Sequence, residues 1–286
     1  MTTQAGAAVA TAAEQVDHHA KTVKGSPKWG DLLLRVVAGL VLLYLFLPIF
    51  VIILFSFNDP KGKFNYSWQG FTLKNWANPF KYEALTDALK LSLNVAAVST
   101  AIAVVFGTLV AIALVRQRFR GQTAVDTFLV IPLTAPEVVL GAALLTLFLD
   151  FGWATGYVTI LIAHVAFEIS FIAMTVRARV RGFDWTLEDA SMDLGASPTR
   201  TFFKVTLPLI IPGIVAAAML SFALSLDDFI ITYFVSGSTV TYPLYVNAAV
   251  KASVPPQINV LATAILVISL ILLGVGTLYR RKRIDV

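Results

Sequence analysis

Six apolar runs divide the chain, at about 32–55, 87–115, 124–149, 157–176, 209–235 and 258–279. Each is long enough to cross the roughly 30 Å hydrocarbon core of a bilayer, which takes about 20 helical residues. Between the fourth and fifth runs lies a stretch of another kind, 184–212, which is polar and helix-forming. Thr186 and Asp189 have the spacing of a capping box, with Asp in place of the usual Glu or Gln. Leu187, Ala190, Met192 and Leu194 favour helix, and Gly195 is the expected stop. Ser197 then offers an N-cap, with Pro198 at the first position of a second short helix. Pro208 and Pro212 mark the start of the next span. The pattern predicts a helix, a break and a helix between two membrane crossings.

Composition agrees with the pattern. Hydrophobic residues make up 57% of the 286 and charged residues only 14%, against about 25% charged in soluble domains. The expectation is an all-α integral membrane protein with six transmembrane helices. No cysteine is present, so a thiolate metal site is excluded. The first thirty residues lack an apolar signal core and read as a disordered tail, 1–30, ahead of a membrane domain at 31–286.

The net charge of +5 is a matter of topology rather than of nucleic acid, because the cations flank the apolar runs. Six of the 22 Lys and Arg fall on one side: Lys61, Lys63, Lys74, Lys81, Lys90 and Lys251. The rest cluster before the first run, at 116–120, across 177–204 and at 280–283. The positive-inside bias then puts both termini and the loop 177–208 in the cytosol. The longest outer loop, 56–86, carries Tyr66, Trp68, Phe71, Trp76, Phe80 and Tyr82. It fits either an interfacial lid or a docking surface for an outside partner. The third outer loop, 236–257, contains Pro243, Pro255 and Pro256 and cannot be one helix.

Four carboxylates lie within the runs. Glu137 and Glu168 fall near mid-depth of the third and fourth, and Asp227 and Asp228 in the outer half of the fifth. Each costs at least about 2.5 kcal/mol at such depth and normally faces a bundle interior or a wet path. No Lys or Arg lies mid-span, so an acidic interior without resident cations suggests a cationic cargo. Competing structural roles stand beside this reading. Glu137 follows Pro132 and Pro136, where the span is kinked or unwound, and can cap a freed amide. Glu168 can be protonated and bonded to His164 or Ser170. Asp227 and Asp228 point about 100° apart, so one lines the path while the other caps or pairs. Tyr233 lies beyond them, either attracting an ammonium group or packing against lipid. Gly107, Ala111, Gly141, Ala142, Gly274 and Gly276 read as close helix contacts. Nothing matches a Walker loop, HExxH or GxSxG, so no enzyme active site is expected.

The cytosolic loop resembles the signature loop of ATP-binding cassette importer permeases, written EAA, three residues, Gly, nine residues, Ile, any residue, Leu-Pro. Here it reads Asp189-Ala190-Ser191, then Gly195, then Val205-Thr206-Leu207-Pro208, with Asp, Ser and Val as the departures and Glu188 just before. Ser56-Phe57-Asn58, Trp68-Gln69-Gly70-Phe71-Thr72, Arg118-Phe119-Arg120-Gly121 and Arg181-Gly182-Phe183-Asp184 look like the spermidine/putrescine branch. So do the segments 220–229 and 254–263. Glu168 departs from the small or apolar residue expected at its place.

The resemblance implies a type I importer permease of the second-subunit kind. It implies coupling helices that meet a partner ATPase through Glu188, Asp189, Ala190, Gly195, Leu207 and Pro208. It implies a second permease subunit, two cytosolic ATPase subunits and an extracytoplasmic polyamine-binding protein as partners. Membrane lipid surrounds the chain, and ATP with Mg is held by the ATPase, with no cofactor on this chain. Three other readings stay open: the same class with another small organic or metal cargo, a proton-coupled secondary transporter working through Glu168 or Asp227, and a structural subunit without cargo contacts.

Overall fold

The computed structural model describes residues 28–282, with side chains from 29 to 271. Its regular structure is helical, and two isolated bridges pair Asn58 with Phe71 and Phe64 with Val254. The tail expected over 1–30 lies outside the described residues except at its end, where 28–30 already belong to the first helix. In chain order the helices are α1 Lys28–Ser56, α2 Lys74–Ala77, α3 Glu83–Arg116, α4 Gln122–Thr134, α5 Glu137–Asp150 and α6 Tyr157–Arg181. They continue with α7 Thr186–Asp193, α8 Pro198–Asp227, α9 Ile230–Val235, α10 Tyr242–Ala252 and α11 Pro256–Lys282.

The chain forms two compact units, one of α1 with the residues from Ala262 onward, the other Phe57–Leu261. Helices α1, α3, α6 and α8 are each long and apolar enough to cross a membrane. Helices α4 and α5 qualify only as a pair, bent by 111°. Among the described residues that makes four spans, or five with the bent pair, where six were expected. The sixth run falls in α11, whose stretch Pro256–Ile271 counts as a shorter apolar helix.

The second unit is built on α3 and α6, with α8 lying against both. Ala103 and Ala111 of α3, Ile172, Val176 and Val180 of α6, and Ile210 and Ala217 of α8 form one buried cluster. Small residues let the backbones approach where no hydrophobic effect draws apolar helices together in lipid. Gly107 is the tightest such point: a Cβ there would meet the Cγ2 of Ile172 at 2.8 Å and its Cβ at 2.9 Å. Near the C-terminal end of α6, Arg177 forms an ion pair with Asp126, at 2.5 Å to Oδ1 and 3.2 Å to Oδ2.

The break in the third span follows from Pro136. It cannot donate to the helix, and it disfavours the α conformation at Ala135, which is extended at φ −68°, ψ 141°. The fifth span departs from expectation at both ends. Pro208 and Pro212 do not start a new helix, and α8 runs through both, from Pro198 to Asp227. A π turn at Phe202–Thr206 precedes Pro208, with the Leu207 amide donating to the Phe202 carbonyl. The widened turn makes room where the Pro208 ring would crowd the carbonyl of Lys204. At its far end α8 stops at Asp227, Asp228 is extended, and α9 begins at Ile230.

The loop 56–86 is held by its own hydrogen bonds and ring stacking. Asn58, fully buried, donates to Asn65 Oδ1 at 2.6 Å and to the Ser67 carbonyl at 2.7 Å, and its Oδ1 accepts from the Gln69 amide at 2.7 Å. Phe57 stacks between Phe71 and Trp76, each with centroids 5.6 Å away. The Lys63 carbonyl accepts from the Val254 amide at 3.0 Å, fastening this loop to the one after α10. The stretch 236–257 contains the eleven-residue α10, with Pro243 in its first turn, where a missing amide costs nothing.

The α3–α6 contact yields a direct test. Gly107→Ala should cost about 1–3 kcal/mol by overpacking and lower the melting temperature of the purified protein in detergent. Gly70→Ala, where an added Cβ meets nothing within 4 Å, should leave it unchanged. Equal melting of the two variants would refute so close an approach of the helices.

Candidate functional site

The four intramembrane carboxylates separate into two environments. Glu168 is fully buried, and the Asp228 side chain is 8% exposed. Glu137 and Asp227 are exposed on the subunit, as is Tyr233.

The buried pair belongs to a polar spine linking α3, α6, α8 and α9. Asp228 Oδ2 accepts from the Thr232 amide at 2.8 Å and from the Thr232 hydroxyl at 2.7 Å, and so caps the short α9. The single Thr232 hydroxyl proton is thereby used. Its 2.9 Å contact with His164 Nε2 therefore has the ring N–H as donor, and the same nitrogen lies 3.4 Å from Asp228 Oδ2. In the neutral ring, Nδ1 is then left to accept from Ser225 Oγ at 2.6 Å, and Ser225 lies 3.3 Å from Ser99 Oγ. Glu168 sits among Ser99, Thr100 and Ser225, and its Oε1 accepts from the Thr100 hydroxyl at 3.3 Å. Its Oε2 is buried without a partner among the described residues. His164 thus serves Asp228 rather than Glu168, because its ring reaches across to α8 and α9 instead of down its own helix.

The exposed acids sit at the two breaks. Glu137 is the first residue of α5 and Asp227 the last of α8. The segments following the breaks, α5 and α9, pack on one another. A Cβ on Gly141 would meet Phe234 Cδ2 at 2.7 Å and the Cα of Ile231 at 3.3 Å. Beyond both helices, Gly237 approaches the Thr155 carbonyl, where its Cβ would lie at 2.7 Å. The two segments therefore run in the same direction. Glu137, one turn before Gly141, and Asp227, four residues before Ile231, come to the same end of that contact. Tyr233 lies on α9, its ring 5.8 Å from that of Phe229 and 5.9 Å from that of Phe234. An exposed carboxylate at each of two helix breaks offers charge to a cationic ligand, with the break at Asp228 held by the buried spine and that at Ala135 set by Pro136.

The loop between α6 and α8 also divides into two faces. Gly195 has φ +83°, a left-handed conformation that ends α7 as expected. Ser197 caps the next helix by accepting from the Arg200 amide at 3.4 Å, with Pro198 at its start. The N-terminal cap differs from the expected box. Asp184 Oδ1 accepts from the Thr186 amide at 3.1 Å and from its hydroxyl at 2.7 Å, while Asp189 is exposed. A short Asp side chain reaches an amide two residues on, which suits position 184 better than the reach back demanded of 189. These bonds, the side-chain one first, hold the Asp184 carboxyl below the usual carboxylate range. The cap is thus kept at neutral pH and lost as pH falls through that lowered value.

Glu188 is buried, whereas Asp189, Ala190, Gly195 and Pro208 are exposed and Leu207 is half-buried. Leu194 is 90% exposed, the most open apolar side chain of the loop. With Leu187, Ala190, Ser191, Gly195, Ala196, Arg200 and Val205 it lines a shallow groove of about 530 Å³. Sequence spacing alone did not single out Leu194, although its place next to the helix-ending glycine gave the signal. His164, Ser225 and Thr232 were likewise missed as members of the spine, being ordinary residues for a membrane helix.

Comparison with known proteins bears on the family and the fold. Residues 103–281 match the family described as "Binding-protein-dependent transport system inner membrane component". The chain is 38% identical over 240 residues to the spermidine/putrescine transport system permease protein PotC of Haemophilus influenzae, covering 84% of this chain and 93% of that one. It is also 38% identical over 231 residues to the putrescine transport system permease protein PotI of Escherichia coli, covering 78% and 82%. Among solved structures, a bacterial ABC transporter involved in import of the acidic polysaccharide alginate superimposes with a TM-score of 0.64 at 16% identity, over 88% of this chain and 94% of that one. The inward-facing MetNI methionine ABC transporter does so with a TM-score of 0.58 at 18% identity, over 69% and 95%. These two likenesses show a shared fold. With the family match across most of the helical unit, and permease relatives aligned nearly end to end, the chain belongs to the binding-protein-dependent transport system inner membrane components, as a permease subunit.

Proposed function

We propose that this permease carries polyamines, as the second-type subunit of an ATP-driven importer. The observation that carries the reading is the 38% identity to a spermidine/putrescine permease over 93% of that protein's length. The chemistry of this chain supports it: two exposed carboxylates, Glu137 and Asp227, stand at adjoining helix breaks with the exposed ring of Tyr233 nearby. An ammonium group takes both a carboxylate and an aromatic face. Glu168 and Asp228 serve instead to hold the helices, since neither side chain reaches the surface of the subunit.

In this reading the chain has six spans and cytosolic termini, and it encloses the path only together with a second permease subunit. Two ATPase subunits holding ATP and Mg bind on the cytosolic side, and an external binding protein delivers the polyamine. The exposed loop residues Asp189, Ala190, Leu194 and Gly195 meet the ATPase, with Leu207 and Pro208 leading into the span. ATP-driven closure of the ATPases moves the loop, and the spans exchange inward-open and outward-open arrangements.

Two measurements on the full complex in proteoliposomes test this. Hydrogen bonds to charged groups contribute about 1.5–3 kcal/mol, so Asp227→Asn and Glu137→Gln should each raise the apparent KM for putrescine roughly tenfold or more. Glu168→Gln should leave it unchanged. Wild-type KM in both of the first two variants would remove the cargo role from the breaks. Separately, Gly195→Pro forces φ to about −65° where +83° is required. It should abolish polyamine-stimulated ATP hydrolysis while the complex still assembles, and normal stimulation would count against the coupling role.

A further inference from the structure

We infer that Glu188 is a positioning residue that locks the cytosolic helix α7 to α3 and α8 through Arg116 and Thr206, and is not itself a contact for the ATPase. The inference rests on the proposed role of the loop as the ATPase-facing element.

Helix α7 has eight residues, far fewer than the roughly 12–15 at which an isolated helix becomes even marginal in water. Its place must therefore be set by ties to other elements. Glu188 is 4% exposed and supplies the strongest of them. Its Oε2 lies 2.8 Å from Arg116 Nη2, and its Oε1 accepts from Arg116 Nη1 at 3.5 Å. The Thr206 hydroxyl, fully enclosed in the π turn of α8, also donates to Oε1. Arg116 is the last residue of α3, so one carboxylate joins three helices. The guanidinium lies 5.5 Å from the centroid of the Trp185 ring, just before α7, and Trp185 packs edge-on against Phe183 at 4.8 Å. Ser191 and Thr201 add a second tie between α7 and α8, with hydroxyls 3.1 Å apart.

The geometry separates neighbours by role. Successive helical residues point about 100° apart, so Glu188 faces the bundle while Asp189 faces out. The carboxylate of Glu188 is buried and takes its donors, Arg116 and Thr206, from inside the subunit. Arg116 adds a planar fork to the pair, a match that Lys does not reproduce. A load applied to α7 thus reaches α3 through an ion pair and α8 through a hydroxyl, without passing along the Gly195 turn.

The test uses the full complex with putrescine as the transported probe and two readouts: putrescine moved per ATP hydrolysed, and the rate of trypsin cleavage after Arg181 and Arg200. Glu188→Gln should lower the first ratio about fivefold or more, the usual lower size of a coupling effect. It should raise loop cleavage by a similar factor as α7 loosens. The reversed pair, Glu188→Arg with Arg116→Glu, should restore both readouts in large part. Wild-type values of both in Glu188→Gln would overturn the lock. Failure of the reversed pair to recover either would overturn Arg116 as the partner. A third arm checks the underlying reading: Leu194→Cys, in a chain otherwise unchanged, should cross-link to a cysteine on the ATPase surface. Its failure would overturn the docking role of the loop, and the cleavage rates would still decide the lock.

Discussion

A helix interrupted inside hydrocarbon leaves backbone donors and acceptors with no water to satisfy them, and each unsatisfied group costs several kcal/mol. This chain interrupts two. At Ala135–Pro136 the cost is reduced because proline has no amide to strand. At Asp228 it is met by a carboxylate, which accepts from the Thr232 amide and hydroxyl and faces the ring N–H of His164. Through His164 the break in the fifth span is tied to α6, and through Ser225 and Ser99 to α8 and α3. The position of the break is thus a property of the whole packed unit.

That tie explains how two adjacent carboxylates come to different ends. Placing both in one apolar setting would set like charges side by side with too few donors. The change of backbone direction at Asp228 turns one acid inward, where donors are waiting, and leaves Asp227 on the surface of the subunit. The inward acid holds the break that presents the outward one. Glu168 extends the same spine to Thr100 without reaching the surface.

Much of this was legible from residue order because it depends on local rules. Apolar run length, the left-handed turn at Gly195, the Ser197 cap and the distortion at Pro136 are decided within a few residues. The spacing of the cytosolic loop was readable for the same reason. What local rules missed was decided by contacts between distant parts of the chain. Glu188 sits in a polar stretch where the resemblance implied an ATPase contact, yet its carboxylate is buried against Arg116, 72 positions away. Pro208 and Pro212 read as a helix start, yet the π turn lets the helix pass through. Asp227 and Asp228 could be said to diverge, but which one faces inward depended on His164 and Thr232.

The continuity of α8 joins the two halves of the molecule's chemistry. Pro198, at the end of the polar loop, and Asp227, at the fifth-span break, are the two ends of one 30-residue helix, about 45 Å long at 1.5 Å per residue. A helix of that length, packed on α3 and α6, cannot shift at one end and stay still at the other unless it bends. Its π turn lies near the N-terminal end and is tied there by the bond from Thr206 to Glu188. Beyond the turn the ladder is regular except at its prolines, and up to Asp227 the helix is carried by buried packing at Ile210 and Ala217. The place where α8 could absorb a displacement is therefore the place where the loop is held most firmly. In the proposed transport cycle, movement imposed on the loop would pass along the span toward Asp227 at the break.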